Sequence, residues 1–250
     1  MSEFYQYTFA NQLTANFIKV FQRSELSRAL VNLGLKYPCP VLVIVGGAGG
    51  ISDEHTNSLK TIFREQIAPT VENIGAAVVD GGTDAGIMSL IGEVRTEIGA
   101  SFPLIGVAAI GTVQLPQQNH HPLAAPLEPN HTHFVIVPGD NWGDESPWLA
   151  QVGAILSQEF PSITLVVNGG EITWQDVAQS LQFCRPVIAL EGSGRTADKL
   201  AAALKGDFTN QRAQQLVASG QVQAIQGMKD PSSLVELLKA SLLRKITSNK

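Results

Sequence analysis

Short apolar runs alternate with helical patterns along most of the chain. The runs that resemble buried strands are Val41–Val45, Ala76–Val79, Leu104–Ala108, Phe134–Val137, Ile163–Val167 and Pro186–Leu190. Between several of them, apolar residues recur every three or four positions, as on one face of an amphipathic helix. Because strands that alternate with helices form parallel sheets, the pattern predicts an α/β, Rossmann-like fold. We expect a doubly wound, mostly parallel sheet with helices on both faces.

The alternating pattern extends over about residues 40–205. No linker rich in Pro, Gly or Ser interrupts the chain, so we expect residues 1–250 to form one domain. Residues 1–39 and 206–250 are expected to be extensions packed on the core. The segment 112–132 has no clear period and contains four prolines. Long irregular segments in compact domains are often lids or binding loops.

Composition narrows the class of partner. The net charge of −5 argues against nucleic acid, which needs a surface rich in Lys and Arg. The two cysteines, Cys39 and Cys184, form no CxxC pair, and we expect both to be reduced thiols. The N-terminus has no secretory pattern and the apolar runs are too short to span a membrane, so we expect a cytoplasmic protein. A homo-oligomer is possible.

Glycine-rich turns follow several of the predicted strands. Because parallel strands end at one edge of the sheet, these turns gather where open α/β sheets bind ligands. Glycine lets the backbone approach a ligand, and the helix starts behind it offer N–H groups to phosphate. Neither GxGxxG nor GxxxxGK[ST] is present, which argues against a dinucleotide dehydrogenase or a P-loop NTPase. The predicted ligand-binding residues are Gly46, Gly47, Ala48, Gly49, Gly81, Gly82, Thr83, Asp84, Gly86, Gly169, Glu191, Gly192, Ser193, Gly194, Arg195 and Thr196.

Arg195 is the sharpest local signal among these residues. At a helix start, its guanidinium would hold phosphate through two parallel hydrogen bonds. The alternative is a solvated arginine that pairs with Asp198 or Glu191. For ribose, the candidate acceptors are Glu191 and Asp80, which ends a predicted strand. Asp80 is equally well interpreted as a turn residue.

Five motifs, in the same order, resemble the N-terminal cytosolic region of melastatin-type transient receptor potential channels. The matching segments are Val45–Gly47 with Lys60–Arg64 (TGG…K-x-IFR), Asp80–Met88 with Gly92-Glu93 (TGG-x-x-TGVM…GE), Leu104–Ala108 (IGIA), His131–Phe134 (H-x-HF) and Gly192–Asp198 (GSGR-x-x-D). They cover about residues 40 to 205. The chain is identified as a prokaryotic member of this group within the SLOG superfamily. The resemblance implies a Rossmann-like fold and a nucleotide or ADP-ribose-like ligand, without the membrane part of the channel.

The SLOG superfamily also contains the Lonely-guy phosphoribohydrolases, which carry PGG-x-GT-x-x-E with a catalytic Glu. Here that Glu is replaced by the shorter Asp198, and the proline is absent. In the melastatin-type channels a Thr precedes Gly-Gly in the TGG-x-x-TGVM segment, and in this chain that position is Asp80. These departures favour a sensor or carrier that binds its ligand without turnover. The enzyme alternative is a hydrolase of the N-glycosidic bond, with Asp198 or Asp84 as acid/base. A further alternative is an assembly protein.

Other conspicuous side chains are assigned to structure. The histidines near the long segment are His120, His121, His131 and His133. They lack Cys, Asp or Glu at regular ligand spacing, so we expect no metal and no cofactor beyond the nucleotide-type ligand. The last two precede their strand and should lie near the edge opposite the glycines. The tryptophans, Trp142, Trp148 and Trp174, are expected in the core or at helix starts. Asp140, Asp144 and Glu145 are expected in a solvated loop, from which one of them could reach the site.

Overall fold

The computed structural model describes residues 3–47, 53–116 and 121–243. The strands in these ranges are β1 (Glu3–Thr8), β2 (Thr14–Lys19), β3 (Val41–Gly46), β4 (Ala77–Asp80), β5 (Leu104–Ala109), β6 (Val113–Gln114), β7 (Ala125–Pro126), β8 (His133–Val137), β9 (Ser162–Val167), β10 (Val187–Leu190) and β11 (Val222–Ile225).

Helices follow most of the long strands. They are α1 (Leu26–Asn32), α2 (Asp53–Ile62), α3 (Ala68–Ile74), α4 (Gly86–Glu97), α5 (Ser146–Ser157), α6 (Glu171–Gln182), α7 (Arg195–Leu204), α8 (Gln211–Val217) and α9 (Pro231–Leu242). A π-helical turn over Phe63–Ile67 joins α2 to α3.

Nine strands form one sheet in the order β1-β2-β8-β5-β4-β3-β9-β10-β11. All neighbouring pairs are parallel except β1 and β2, which form an antiparallel hairpin. From β3 the chain adds β4, β5 and β8 on one side. It then crosses to the other side of β3 and adds β9, β10 and β11. The strand order therefore reverses between β3 and β9, which is the position where open α/β sheets bind ligands.

Apolar residues cover both faces of this sheet. On one face the core includes Leu30, Leu149, Val177 and Leu200, which belong to α1, α5, α6 and α7. On the other face, residues of α2, α3, α4 and α9 pack against the alternate strand positions. The prediction of a doubly wound, Rossmann-like α/β fold with a mostly parallel sheet is therefore confirmed.

The two terminal segments contribute strands as well as helices. The hairpin of β1 and β2 extends the sheet beside β8, and β11 pairs with β10 at the other end. Phe17 of β2 stacks on Phe134 of β8, with their ring centroids 4.7 Å apart. These segments were expected only to pack on the core, but they form both edges of the sheet.

The described part of the segment 112–132 is ordered against the sheet. Its short strands β6 and β7 pair with each other, and Thr83 bridges to Leu127. The amide of Glu128 donates to the carbonyl of Gly82, 3.0 Å away, and the amide of Asp84 donates to Pro126. Residues 125–128 therefore hold the turn that follows β4 in place.

Candidate functional site

The turns after β3 and β9 contact each other where the strand order reverses. A Cβ atom at Gly46 would lie 2.2 Å from the carbonyl oxygen of Val167. One at Gly47 would lie 3.0 Å from the amide nitrogen of Gly170. The side-chain amide of Asn168 donates to the carbonyl of Gly47 over 3.2 Å. Glycine is thus needed here for close approach of two backbones.

The turn after β10 is fastened to the turn after β9 by hydroxyl groups. The Ser193 hydroxyl accepts from the amide of Asn168 at 2.8 Å and donates to the carbonyl of Leu190 at 2.6 Å. The Thr196 hydroxyl donates to the carbonyl of Gly169 at 3.1 Å. Both hydroxyls, which the sequence suggested for ligand binding, hold the turns after β9 and β10 together. We call the space between Gly46-Gly47, Asn168–Gly170 and Gly192–Arg195 the switch-point crevice.

Arg195 brings a positive charge to this crevice. Its guanidinium lies over the start of α6, with Nη2 3.5 Å from the position of a Cβ atom at Gly170. The preceding Gly194 has a φ of 108°, and Arg195 itself has a φ of 44°. The guanidinium and the first N–H groups of α6 are therefore neighbours, an arrangement that favours an anion.

A cavity of about 170 Å³ opens beside the crevice at the carboxyl edge of the sheet. Its wall includes the ends of β3 and β4, the start of α4, and the starts of α5 and α6. The lining residues are Ile44, Val45, Gly46, Gly47, Gly81, Thr83, Met88, Ala108, Thr112, Trp142, Glu145, Leu149, Gly170, Glu171, Ile172, Thr173 and Asp176.

Two buried carboxyl groups, Glu145 and Asp176, lie in the wall of this cavity. Burial raises the pKa of Asp176 to about 7, against a hydrogen bond from the Ser146 hydroxyl at 2.6 Å, and the charge of Glu145 adds to the rise. Burial also raises the pKa of Glu145, although the amide of Gly143 donates to it at 2.9 Å. The cavity wall therefore contains one carboxyl group, Asp176, that exchanges protons near neutral pH, and a second, Glu145, whose pKa is raised by burial.

The structure brings only part of the predicted set to the cavity. Gly46, Gly47, Gly81 and Thr83 line it. The members that lie beside it, in the turns that build the crevice, are Gly169, Gly192, Ser193, Gly194, Arg195 and Thr196. Two more, Ala48 and Gly49, lie outside the described residues.

The rest of the turn after β4 has structural contacts. Gly82 has a φ of 65° and packs against Gly106, where a Cβ atom would lie 2.7 Å from the Gly106 Cα atom. Gly86, with a φ of 53°, begins α4, and the carboxylate of Asp84 accepts from the hydroxyl of Ser89 in the same helix. Of the predicted ligand-binding residues in this turn, Gly82, Asp84 and Gly86 do not line the cavity.

Asp80 is not available to a ribose. It is fully buried, and its Oδ1 atom accepts from the amide of Gly82 and lies 2.8 Å from Nε2 of His131. The other ring nitrogen of His131 lies 2.6 Å from the carboxylate of Glu128. Burial alone would lower the pKa of His131, but the two carboxylates raise it to about 9. The imidazolium thus bridges two acids inside the protein.

The expectation that His131 lies near the edge opposite the glycines is wrong. Strand β4 has four residues and ends early, so Asp80 pairs with Gly106, and Gly106 with Phe134 near the start of β8. A residue that precedes β8 therefore reaches the turn after β4. His133 is separate from it: burial lowers its pKa to about 4, and its Nδ1 lies 2.7 Å from the Thr132 hydroxyl.

Glu191 and Asp198 also have partners within the protein. Glu191 forms an ion pair with Lys205, which lowers its pKa. The carboxylate of Asp198 accepts from the amide of Gly192 at 2.6 Å and closes the turn after β10. Neither residue lines the cavity. The carboxylates that the sequence suggested for ribose binding or acid/base chemistry therefore stabilise turns and helix starts.

Sequence reasoning missed four features of the cavity wall. These are the start of α6 beyond Gly169, the half-exposed Trp142, and the acids Glu145 and Asp176. The turn after β9 was recognisable from Asn168-Gly169-Gly170, so the sequence did contain a signal for the start of α6. Glu145 was expected in a solvated loop, with only an alternative that it reaches the site, but it is buried. Asp176 gave no signal of a role at the site, because α5 and α6 are adjacent only in the folded sheet.

The fold and the site together define a class: a doubly wound α/β protein with a cavity at the carboxyl edge of its sheet, beside the switch point. The family model described as "SLOG in TRPM, prokaryote" matches residues 39–236. The chain belongs to that family. The resemblance to melastatin-type channels, based on the motifs above, is thereby confirmed.

Curated relatives include channel proteins that are much longer than this chain. The rat transient receptor potential cation channel subfamily M member 2 is 25% identical over 204 residues, which are 67% of this chain and 13% of the channel. Subfamily M member-like 2 of Nematostella vectensis is 25% identical over 212 residues, with 68% and 13% covered. Mouse subfamily M member 1 is 26% identical over 198 residues, with 66% and 12% covered.

A solved X-ray structure, named TM1055, is similar to this chain with a TM-score of 0.49 and 18% identity; the match covers 79% of this chain and 99% of that one. In the described part of the chain, no helix has both the length and the apolar character needed to cross a bilayer.

Proposed function

We propose that the chain binds a nucleotide or an ADP-ribose-like ligand in the switch-point crevice and the adjoining cavity, as a sensor or ligand-binding module. One observation carries this proposal: three glycine-rich turns contact each other at the start of α6, and the guanidinium of Arg195 lies over that start. Helix starts and arginine favour phosphate. The resemblance to melastatin-type channels implies the same class of ligand.

The charges at the site suggest how the ligand is oriented. Phosphate groups belong at the start of α6 beside Arg195, where backbone N–H groups and a guanidinium lie next to each other. The carboxyl groups of Glu145 and Asp176 would repel phosphate and are suited to accept hydrogen bonds from ribose hydroxyls. Trp142, which is 47% exposed and lines the cavity, offers an aromatic face for a base.

Thermal-shift measurements with ADP-ribose, AMP, ribose 5-phosphate and adenosine test the proposal. We expect the phosphate-bearing compounds to raise the melting temperature and adenosine to raise it much less. Glu191→Gln should show the same shifts as the wild type with all four compounds, because Glu191 pairs with Lys205 and does not line the cavity. Equal stabilisation by AMP and adenosine would contradict phosphate recognition, and no shift with any compound would favour an assembly protein.

A second candidate function is hydrolysis of the N-glycosidic bond of a nucleotide. It is favoured by the buried carboxyl groups of Glu145 and Asp176: the pKa of Asp176, about 7, suits proton transfer near neutral pH, and burial raises the pKa of Glu145 as well. In this function they replace Asp198 and Asp84, which are engaged elsewhere. One group would protonate the leaving base and the other would activate water.

Chromatography of the incubation mixtures distinguishes the two functions. Release of free base from AMP, abolished in Glu145→Gln or Asp176→Asn but retained in Asp198→Asn, would establish the hydrolase. A thermal shift without release of base supports the binding module. Release that depends on Asp198 would instead assign the chemistry to the Lonely-guy position.

A further inference from the structure

A second cavity lies at the opposite, amino edge of the sheet. Its volume is about 370 Å³, and we call it the amino-edge cavity. It lies between the carboxyl ends of α5 and α6 and the starts of β9 and β10. The residues that matter for its chemistry are Phe160, Ser162, Phe183 and Arg185. It is separate from the switch-point crevice, which is at the carboxyl edge.

Arg185 is buried without an acidic partner in the described part of the chain. Its side chain is 2% exposed; Nη2 donates to the carbonyl of Ala150 at 2.8 Å, and Nε donates to the hydroxyl of Ser162 at 3.2 Å. Nη1 is buried and has no hydrogen-bond partner among the described residues. Burial lowers the pKa of this guanidinium to about 10. Its hydrogen-bond partners among the described residues are therefore a carbonyl and a hydroxyl group, and neither carries a full negative charge.

A purely structural role does not explain why an arginine is buried here without an acidic partner among the described residues. A buried cation that lacks an anion destabilises the fold, and an apolar side chain of similar size would join α5 to β10 without that penalty. Arg185 and its partner Ser162 both line the amino-edge cavity. An anion bound in this cavity would supply the missing negative charge.

The surroundings specify what kind of anion fits. Arg185 is the one charged residue in the described lining, and the polar groups beside it are neutral. Helix α5 ends at Ser157 and α6 at Gln182, so two negative helix ends face this region and disfavour a dianion. Phe160 and Phe183 are 44% and 38% exposed and provide an apolar wall.

We propose that the amino-edge cavity binds a small monocarboxylate. The carboxylate pairs with the guanidinium of Arg185 and the hydroxyl of Ser162, and its apolar body lies against Phe160 and Phe183. This site is independent of the nucleotide site. It would let a small organic acid bind to the same molecule at the other edge of the sheet.

Benzoate is a suitable probe, with benzyl alcohol as its neutral match and phenyl phosphate as a dianion. In NMR titrations of the full chain we expect benzoate to shift the backbone amide signals of Phe183, Cys184 and Arg185. Benzyl alcohol should bind at least tenfold more weakly, and phenyl phosphate more weakly than benzoate. Absence of benzoate binding at millimolar concentration, or tighter binding of phenyl phosphate, would overturn the proposal.

Variants locate the site. Arg185→Met keeps the apolar bulk and should weaken benzoate binding at least tenfold; unchanged binding would make Arg185 a structural residue and overturn the proposal. If this variant does not fold, Phe160→Ala, at an exposed position, should weaken benzoate binding severalfold. Phe208→Ala, 74% exposed and outside the cavity, should not. Equal effects of these two alanine variants would also overturn it.

Discussion

Arg195 combines a functional side chain with a strained backbone. Its φ of 44° lies in the left-handed region, which is unfavourable for any residue other than glycine. Positions of this kind persist where the surrounding structure enforces them, and they occur often at ligand sites. Here the close approach of Gly194 to the Asn168 side chain and the hydrogen bond from the Asn168 amide to Ser193 enforce the turn, and the guanidinium lies over the start of α6.

We predict that Arg195→Ala weakens binding of AMP or ADP-ribose about ten- to a hundredfold, because a charge-assisted hydrogen bond to phosphate is lost. Arg195→Lys should recover only part of the lost affinity, since an ammonium group keeps the positive charge but cannot form the two parallel hydrogen bonds of a guanidinium. The free energy of unfolding should change by less than about 1 kcal/mol. Calorimetric titration of the three proteins measures this; unchanged affinity in Arg195→Ala would remove Arg195 from the site.

His131 links stability to pH. A pKa raised to about 9 in the folded chain, against 6.5 when unfolded, means that the folded state holds the proton more tightly. The stability that its charge provides is fully present below about pH 6.5 and is lost as the pH rises through 9. This charge joins Asp80 at the end of β4 to Glu128 in the loop before β8.

We therefore expect the difference in unfolding free energy between wild type and His131→Gln to shrink between pH 6.5 and 9.5. The decrease should be on the order of 2–3 kcal/mol, from the size of the pKa shift. Urea unfolding at several pH values measures it. His121→Gln, at an exposed position, is the control. A difference that does not vary with pH would mean that His131 is neutral in the fold.

At the scale of elements, the spacing of β3 and β9 depends on Gly46. The two strands pair over their whole length, and Gly46 lies opposite Val167 at their carboxyl ends. We predict that Gly46→Ala lowers the free energy of unfolding by about 2–3 kcal/mol, because the added methyl group would meet a backbone carbonyl that cannot move freely.

Gly81→Ala is the matched control for this substitution. Nothing lies within 4 Å of a Cβ atom at Gly81, so stability should change by less than about 0.5 kcal/mol. Denaturant unfolding of both variants gives the comparison. Equal stabilities would show that the sheet absorbs the extra methyl group by widening at β3 and β9.

At the scale of the whole molecule, the acidic charge makes binding of an anion depend on pH. The net charge is −5, and two of the carboxyl groups that contribute to it, Glu145 and Asp176, line the cavity. Because burial raises the pKa of Asp176 to about 7, this group takes up a proton as the pH falls from 8 to 6. Loss of its negative charge should favour a phosphate-bearing ligand.

We predict that AMP binds severalfold more tightly at pH 6 than at pH 8, and that Asp176→Asn removes most of this dependence. The same variant should be more stable than wild type at pH 8, since the buried carboxylate is disfavoured there. Glu236→Gln, an exposed change of equal charge, is the control. Titration and urea unfolding at both pH values test this; equal pH dependence in the two variants would contradict a role for Asp176.

The local pattern of the sequence determined the six central strands, most of the helices between them and one common edge, but not the terminal strands β1, β2 and β11. Alternating apolar runs and helical periods specify a parallel sheet, and parallel strands require that Gly46, Gly81, Gly169 and Gly192 follow strand ends on the same side. These inferences need only local periodicity and the geometry of a βαβ unit. They do not depend on the order of the strands.

The tertiary structure decided which of those turns meet. Strand β9 pairs with β3, more than a hundred residues away, so Gly47 contacts Gly170 while the turn after β4 lies under residues 125–128. The same pairing brings α5 beside α6 and buries Glu145 and Asp176 in one cavity. Strand order arises from long-range packing, and no period in the sequence encodes it. For that reason the glycine edge was predictable, and the side chains that line its cavity were not.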